Sequence, residues 1–219
     1  MMLASWKVRA VLAAAVVTWL GLACPVKAQL GLNPISGTKP PPPPASILSI
    51  SSLNALQVPG RKFRISGQVT GMRPGSSCGV SITGAATGVA MCNSSGNFDA
   101  TFDVPTPGPI QAIAGDGQNQ SAPVGANLVN NAPTVTVQAV QGTGNAWTFS
   151  GTVGDECPAG LVVSLSGPPG VNGATATVLD GGAWSVTVTL GPNAAGMVTA
   201  TVTDWYSLTG SGQTYFMMP

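Results

Sequence analysis

Few groups in this sequence can do covalent or acid–base chemistry. Among 219 residues there is no histidine, and there are 7 Asp+Glu and 8 Lys+Arg. Without an imidazole there is no Ser-His-Asp or Cys-His nucleophile pair, no His-ligated zinc and no His-type pH switch. Acid pairs remain. Asp99 and Asp103 lie four apart. On an extended strand they share one face at about 13 Å, too far for glycosidase geometry. Asp155 and Glu156 are adjacent, in a stretch that reads as a loop. The expectation is a non-catalytic protein that needs no cofactor.

Ligand-binding groups are the next question. Asp116, Asp155, Glu156 and Asp204, with the amides of Gln118 and Asn119, are candidate calcium ligands at a domain end. Calcium takes six to eight oxygens, several of them charged. The stretch Asn130-Asn131-Ala132-Pro133, at the junction, is similar to the calcium-binding linker of cadherins but lacks its acids. Trp205 and Tyr206 follow the last core-phase positions of a strand and are candidate ligand contacts, an aromatic pair able to stack on a sugar. The plainer reading of that pair is packing under the C-terminal strand. Asn93-Ser94-Ser95 and Asn119-Gln120-Ser121 match the glycosylation acceptor, which matters only in a eukaryotic source.

Cys78 and Cys92 are symmetric about position 85, and the loop Gly84-Ala85-Ala86-Thr87-Gly88 is centred one residue away. Antiparallel pairing across that loop brings their β carbons to about 4.5–5.5 Å, close to disulfide reach. A disulfide between them is expected. Cys157, in Asp155-Glu156-Cys157-Pro158, is left as a free thiol, with an intermolecular bond or attachment point as the functional alternative.

The elements that hold these groups follow from patterning. Lys7 and Arg9 precede an apolar run from Ala10 to Cys24, then Val26-Lys27-Ala28, as in a secretory signal peptide over 1–28. An uncleaved signal anchor and a lipid anchor on Cys24 are the alternatives. Residues 29–46 form a Pro-rich linker with five consecutive prolines, Pro40 to Pro44, a short stiff spacer. Removing Lys7, Arg9 and Lys27 leaves five cations against seven acids, a net charge of −2. That balance argues against nucleic acid. Arg61, Lys62 and Arg64 read as a solvated strand face. Membrane contact is expected only through the signal peptide or the lipid anchor.

From residue 47 onward the period is two. Phe63-Arg64-Ile65-Ser66-Gly67-Gln68-Val69 alternates apolar or Gly with polar, and so does Phe98-Asp99-Ala100-Thr101-Phe102-Asp103-Val104. Trp147 to Val153 repeats the first stretch and Trp184 to Leu190 the second. Ser66-Gly67-Gln68-Val69 returns as Ser150-Gly151-Thr152-Val153 after 84 residues, Phe98 as Trp184 after 86, and Asp116 as Asp204 after 88. Such drift marks a duplicated unit with unequal loops. Cys78 and Cys92 correspond to about Leu161 and Val178. Seven strands are expected in the second copy: 134–140, 145–153, 161–166, 174–179, 183–190, 196–203 and 212–218. The expectation is an all-β chain, with tandem immunoglobulin-like β-sandwich domains over 47–126 and 131–219.

Ser150 to Val153, Asp155 with Ala159-Gly160, the turn Asp180-Gly181-Gly182-Ala183-Trp184, and Gly196 to Trp205 together resemble the bacterial immunoglobulin-like repeat modules of exported and cell-surface proteins. The resemblance covers about residues 47–219. It implies a structural or adhesion role for a protein that is secreted or held at a cell surface or in the periplasm, with a surface protein or a glycan as partner. The rival reading is a carbohydrate-binding accessory protein that uses the Trp205-Tyr206 loop.

Overall fold

The computed structural model describes residues 47–217. The signal peptide, Cys24 and the proline linker lie outside the described residues. Everything described is strand, turn or loop.

The first copy contains β1 (Ser49–Val58), β2 (Lys62–Thr70), β3 (Gly79–Gly84), β4 (Gly88–Met91), β5 (Asn97–Asp103), β6 (Pro109–Gly115) and β7 (Val124–Asn127). They form two antiparallel sheets, β1-β2-β5 and β4-β3-β6-β7. The second copy contains β8 (Thr134–Val135), β9 (Gln138–Gln141), β10 (Ala146–Gly154), β11 (Val162–Ser166), β12 (Thr175–Thr177), β13 (Ala183–Thr189), β14 (Ala195–Thr203) and β15 (Thr209–Met217). Its sheets are β13-β10 with β8 and β9 on the far side of β10, and β12-β11-β14-β15. The seven strands expected there are present, the first broken in two.

The alternation of the sequence becomes the alternation of burial. Phe63, Ile65, Val69, Phe98, Phe102 and Val104 point into one core, and Trp147, Phe149, Val153, Trp184 and Leu190 into a second. Lys62 and Arg64 stay outside, paired across strands with Asp103 and Asp99. Such exposed pairs contribute little to stability.

The first strand of each copy bulges at an equivalent place. The β1–β2 register shifts between Ile50 and Ser52, and the break between β8 and β9 falls at Thr136–Val137. The bulge presses a carbonyl onto a glycine of the neighbouring strand. A β carbon on Gly67 would lie 2.1 Å from Ser52 O, and one on Gly151 2.0 Å from Thr136 O. Only glycine permits that approach. Phe98 and Trp184 sit directly opposite these glycines and cover the bare backbone.

Candidate functional site

The groups singled out above gather mainly where the two sandwiches meet. The β1–β2 hairpin of the first sandwich turns through Pro59-Gly60-Arg61, with Gly60 at φ 87° and Arg61 at φ 56°. A side chain with positive φ is uncommon and usually held by its contacts. Arg61 Nε donates to Trp205 O at 2.7 Å and Nη2 to Ser207 Oγ at 3.1 Å. Ser207 also has positive φ, 71°. Two strained positions therefore hold one another across the junction. The sequence placed Arg61 on a solvated strand face; the turn swings it onto the second sandwich instead.

Tyr206 completes the clamp. Its ring packs against the core of the first sandwich, 6.5 Å from Phe63, with the Arg61 guanidinium 5.8 Å over its face. The contact combines apolar cover with a cation–π attraction. Its hydroxyl donates to Val104 O at 2.8 Å. Burial pushes the phenol above its usual range, partly offset by the Arg61 charge. Trp205 goes the other way. It packs against the second core, and Nε1 donates to Cys157 O at 3.2 Å. Trp205 and Tyr206 are thus half-buried on two different bodies and do not present a free aromatic platform.

Asp204 shapes the loop that carries both rings. It is 6% exposed, and Oδ1 accepts from the backbone of Tyr206 at 2.9 Å and Leu208 at 2.7 Å. Oδ2 accepts from Asn130 Nδ2 at 2.7 Å, and Asn130 Oδ1 accepts from Gln57 Nε2 at 3.0 Å. A partly buried polar relay so runs from β1 through the connecting segment to the β14–β15 hairpin. Beside it, Glu156 accepts from the backbone and side-chain amide of Asn131. Asp155 Oδ1 accepts from Cys157 N at 2.8 Å, while Oδ2 is buried without a partner. Burial raises the Asp155 carboxyl above the ordinary range, and the charges of Glu156 and Asp204 add to this.

The four carboxylates expected around calcium do not converge. Asp116 lies in the β6–β7 loop at the opposite end of the first sandwich. There Oδ1 accepts from the backbone of Gln118 at 3.0 Å and Asn119 at 2.7 Å. These bonds, Asn119 first, hold it below the usual carboxylate range. It plays the same turn-forming part as Asp204, as the repeat predicts, but at a separate place. Among the described residues, no three of His, Cys, Asp and Glu form a group able to hold a metal ion.

Cys78 and Cys92 sit at that same far end. The β3–β4 register runs Gly79↔Met91, Val80↔Ala90, Ser81↔Val89. One step further sets Cys78 opposite Cys92, and Cys92 N donates to Cys78 O at 2.9 Å. Both are free thiols in the structure, so the expected bond is not formed there. Burial and then the hydrogen bond to Cys78 push the Cys92 thiol up to about 12. Cys157 is buried and free, its thiol raised by burial. Burial, more than the flanking acids, quiets it, and it offers no exposed attachment point.

The sequence placed Asn130 at the junction, as part of a linker-like stretch, but missed Arg61 and Gln57 as its partners there. The doublet Asn130-Asn131 was the available signal.

No protein-family model matches the chain, and no curated protein matches it. Among solved structures, the chain is similar to a tetra-tandem repeat in the extending region of a large adhesion protein. The identity is 20% and the TM-score 0.40, over 79% of this chain and 48% of that one. It is also similar to part of a 1.5-MDa bacterial ice-binding adhesin, at 20% identity and TM-score 0.32, over 77% of this chain and 64% of that one. A third likeness is to the adhesin InvE of Yersinia pseudotuberculosis, at 11% identity and TM-score 0.33, over 80% and 61%. The chain spans about half to two thirds of the length of these structures. Its assignment as tandem immunoglobulin-like sandwiches rests on its own strand pairing and its two cores.

Proposed function

We propose that this is an exported, non-catalytic structural module of a bacterial cell surface, in which two sandwiches joined at a fixed angle hold a partner-binding region away from the envelope. The observation that carries this reading is the junction. Arg61, Tyr206 and the Gln57–Asn130–Asp204 relay use side chains from both sandwiches and from the segment between them. Interdomain motion is the default where an interface is neither large nor hydrophobic, so these directional bonds, exposed at Arg61 and part-buried at Gln57, Asn130 and Tyr206, are what supports a preferred angle. The signal-like N-terminus supports export. The absence of histidine from the sequence and the structural employment of the acids support a non-catalytic role: Asp99 and Asp103 face cations, Asp116 and Asp204 cap turns, and Glu156 holds Asn131.

The test is labelling of intact source cells with an antibody against residues 47–217. Surface labelling removed by external protease is the expected result. Signal obtained only after cells are broken overturns the reading.

A further inference from the structure

We propose that Cys78 and Cys92 form an intrachain disulfide, closed by a small anionic organic disulfide that reaches Cys92 through the cleft at the far end of the first sandwich. The inference rests on the export reading only for the supply of oxidant.

The geometry is local and specific. The hairpin register sets the two residues opposite one another, in phase with the core-facing Val80 and Ala90. The 2.9 Å bond from Cys92 N to Cys78 O fixes their backbones. Opposed residues of this kind have α carbons about 5.5 Å apart, within the range that a disulfide spans. The second sandwich serves as an internal control. Val178 N donates to Leu161 O at 2.8 Å, the same bond in the same place, and both side chains are buried apolar groups. The fold therefore fills this site without sulfur. Cys157 belongs to the junction of the other sandwich and is buried there.

Access is asymmetric. Cys78 is 1% exposed, whereas Cys92 is half-buried and lines a surface cleft of about 520 Å³ with Met72, Arg73, Pro74, Ser76 and Asn93. Arg73 is the only charged residue of the lining, although it also donates to Gln118 and shares its charge with the Asp116 carboxylate behind it. It favours a disulfide bearing carboxylates over a cationic one.

The reaction balances as thiol–disulfide exchange. The Cys92 thiolate attacks one sulfur of the organic disulfide, forming a mixed disulfide and releasing the first small thiolate. The Cys78 thiolate then attacks Cys92 Sγ, closing the intrachain bond and releasing the second. The two protons lost by the cysteines are taken up by the two leaving thiolates. The pair is oxidised by two electrons and the organic disulfide is reduced.

The test uses the full chain carrying Cys24→Ser, purified reduced and treated with oxidised glutathione or with cystamine. Thiols are counted after denaturation and peptides are mapped. The expected result is the loss of two thiols, one linked Cys78–Cys92 peptide, and a rate several-fold higher with glutathione disulfide than with cystamine. Arg73→Ala should bring the two rates together. Retention of all three thiols, a link to Cys157, or unchanged thiol loss in Cys92→Ser overturns the bond. An unchanged rate ratio in Arg73→Ala overturns the entry route. A chain that closes in vitro yet is recovered reduced from source cells, with thiols blocked at lysis, overturns export and leaves the site standing.

Discussion

The hydroxyl of Tyr206, in the second sandwich, donates to the carbonyl oxygen of Val104, in the first, at 2.8 Å. Its ring at the same time covers Phe63. One side chain thus serves two bodies. Tyr206→Phe should cost about 1 kcal/mol, the net worth of one hydrogen bond. Tyr206→Ala should cost about 2–3 kcal/mol and lower the first sandwich selectively. Urea unfolding followed by both tryptophan and far-ultraviolet signals checks this. Equal loss in both sandwiches would contradict the assignment.

Arg61→Ala removes two donors and the cation over the Tyr206 ring, but little apolar area. It should loosen the junction more than it destabilises either sandwich. Small-angle scattering should show a broader distribution of end-to-end distances with melting temperature nearly unchanged. An unaltered scattering profile would show that the clamp does not set the angle.

Asp155 has a carboxyl raised by burial, so its folded value lies above its unfolded one. Such a group contributes stability below the unfolded value, and that contribution is lost as pH rises through the folded value. At neutral pH the charged form is a cost. Asp155→Asn keeps the oxygen that accepts from Cys157 N and removes the charge. The variant should be more stable than the parent at pH 7, and the advantage should shrink as pH falls through the acid range. Thermal melts at a series of pH values measure this; a variant less stable at pH 7 would sink it.

Gly67→Ala and Gly151→Ala each place a β carbon near 2 Å from a carbonyl oxygen, that of Ser52 or of Thr136. The bulge must then move away, at a cost of about 2–3 kcal/mol by analogy with overpacked sites. Parallel losses in the two variants, read from separate unfolding transitions, would show that the copies share this device. Gly117, whose β carbon would meet nothing, has a positive φ of 82° and is the control for backbone strain alone.

The Cys92 thiol, pushed up to about 12, should alkylate slowly at neutral pH in the reduced chain. Its rate should rise about tenfold per pH unit from 7 to 10, because thiolate is the reactive form. Iodoacetamide labelling with peptide mass analysis reads this. A plateau near pH 9 would mean an ordinary thiol.

The sandwiches were legible in the sequence because half-buried strands repeat every two residues, and Phe63, Phe98, Trp147 and Trp184 keep that phase. The register opposing Cys78 to Cys92 was legible because a short hairpin is symmetric about its loop. The equivalence of Asp116 and Asp204 was legible because both begin turns in matching hairpins. Arg61 was not. Strand periodicity carries no sign that its backbone turns to positive φ, and its partners Trp205 and Ser207 are more than 140 residues away. Tyr206 was legible as a loop aromatic that either packs or meets a ligand; that its ring packs on the neighbouring sandwich was not, because its partners Phe63 and Val104 lie more than 100 residues away.

The clamp has a consequence for the order in which the protein is made. All seven strands of the first sandwich precede residue 128, yet the ring that covers Phe63 comes from residue 206. A chain emerging N-terminus first presents a first sandwich that is paired but unroofed on that side. It becomes complete only when the β14–β15 hairpin has emerged and folded. Any interruption of synthesis before that hairpin leaves an early half whose Phe63 lacks the ring that covers it in the finished protein.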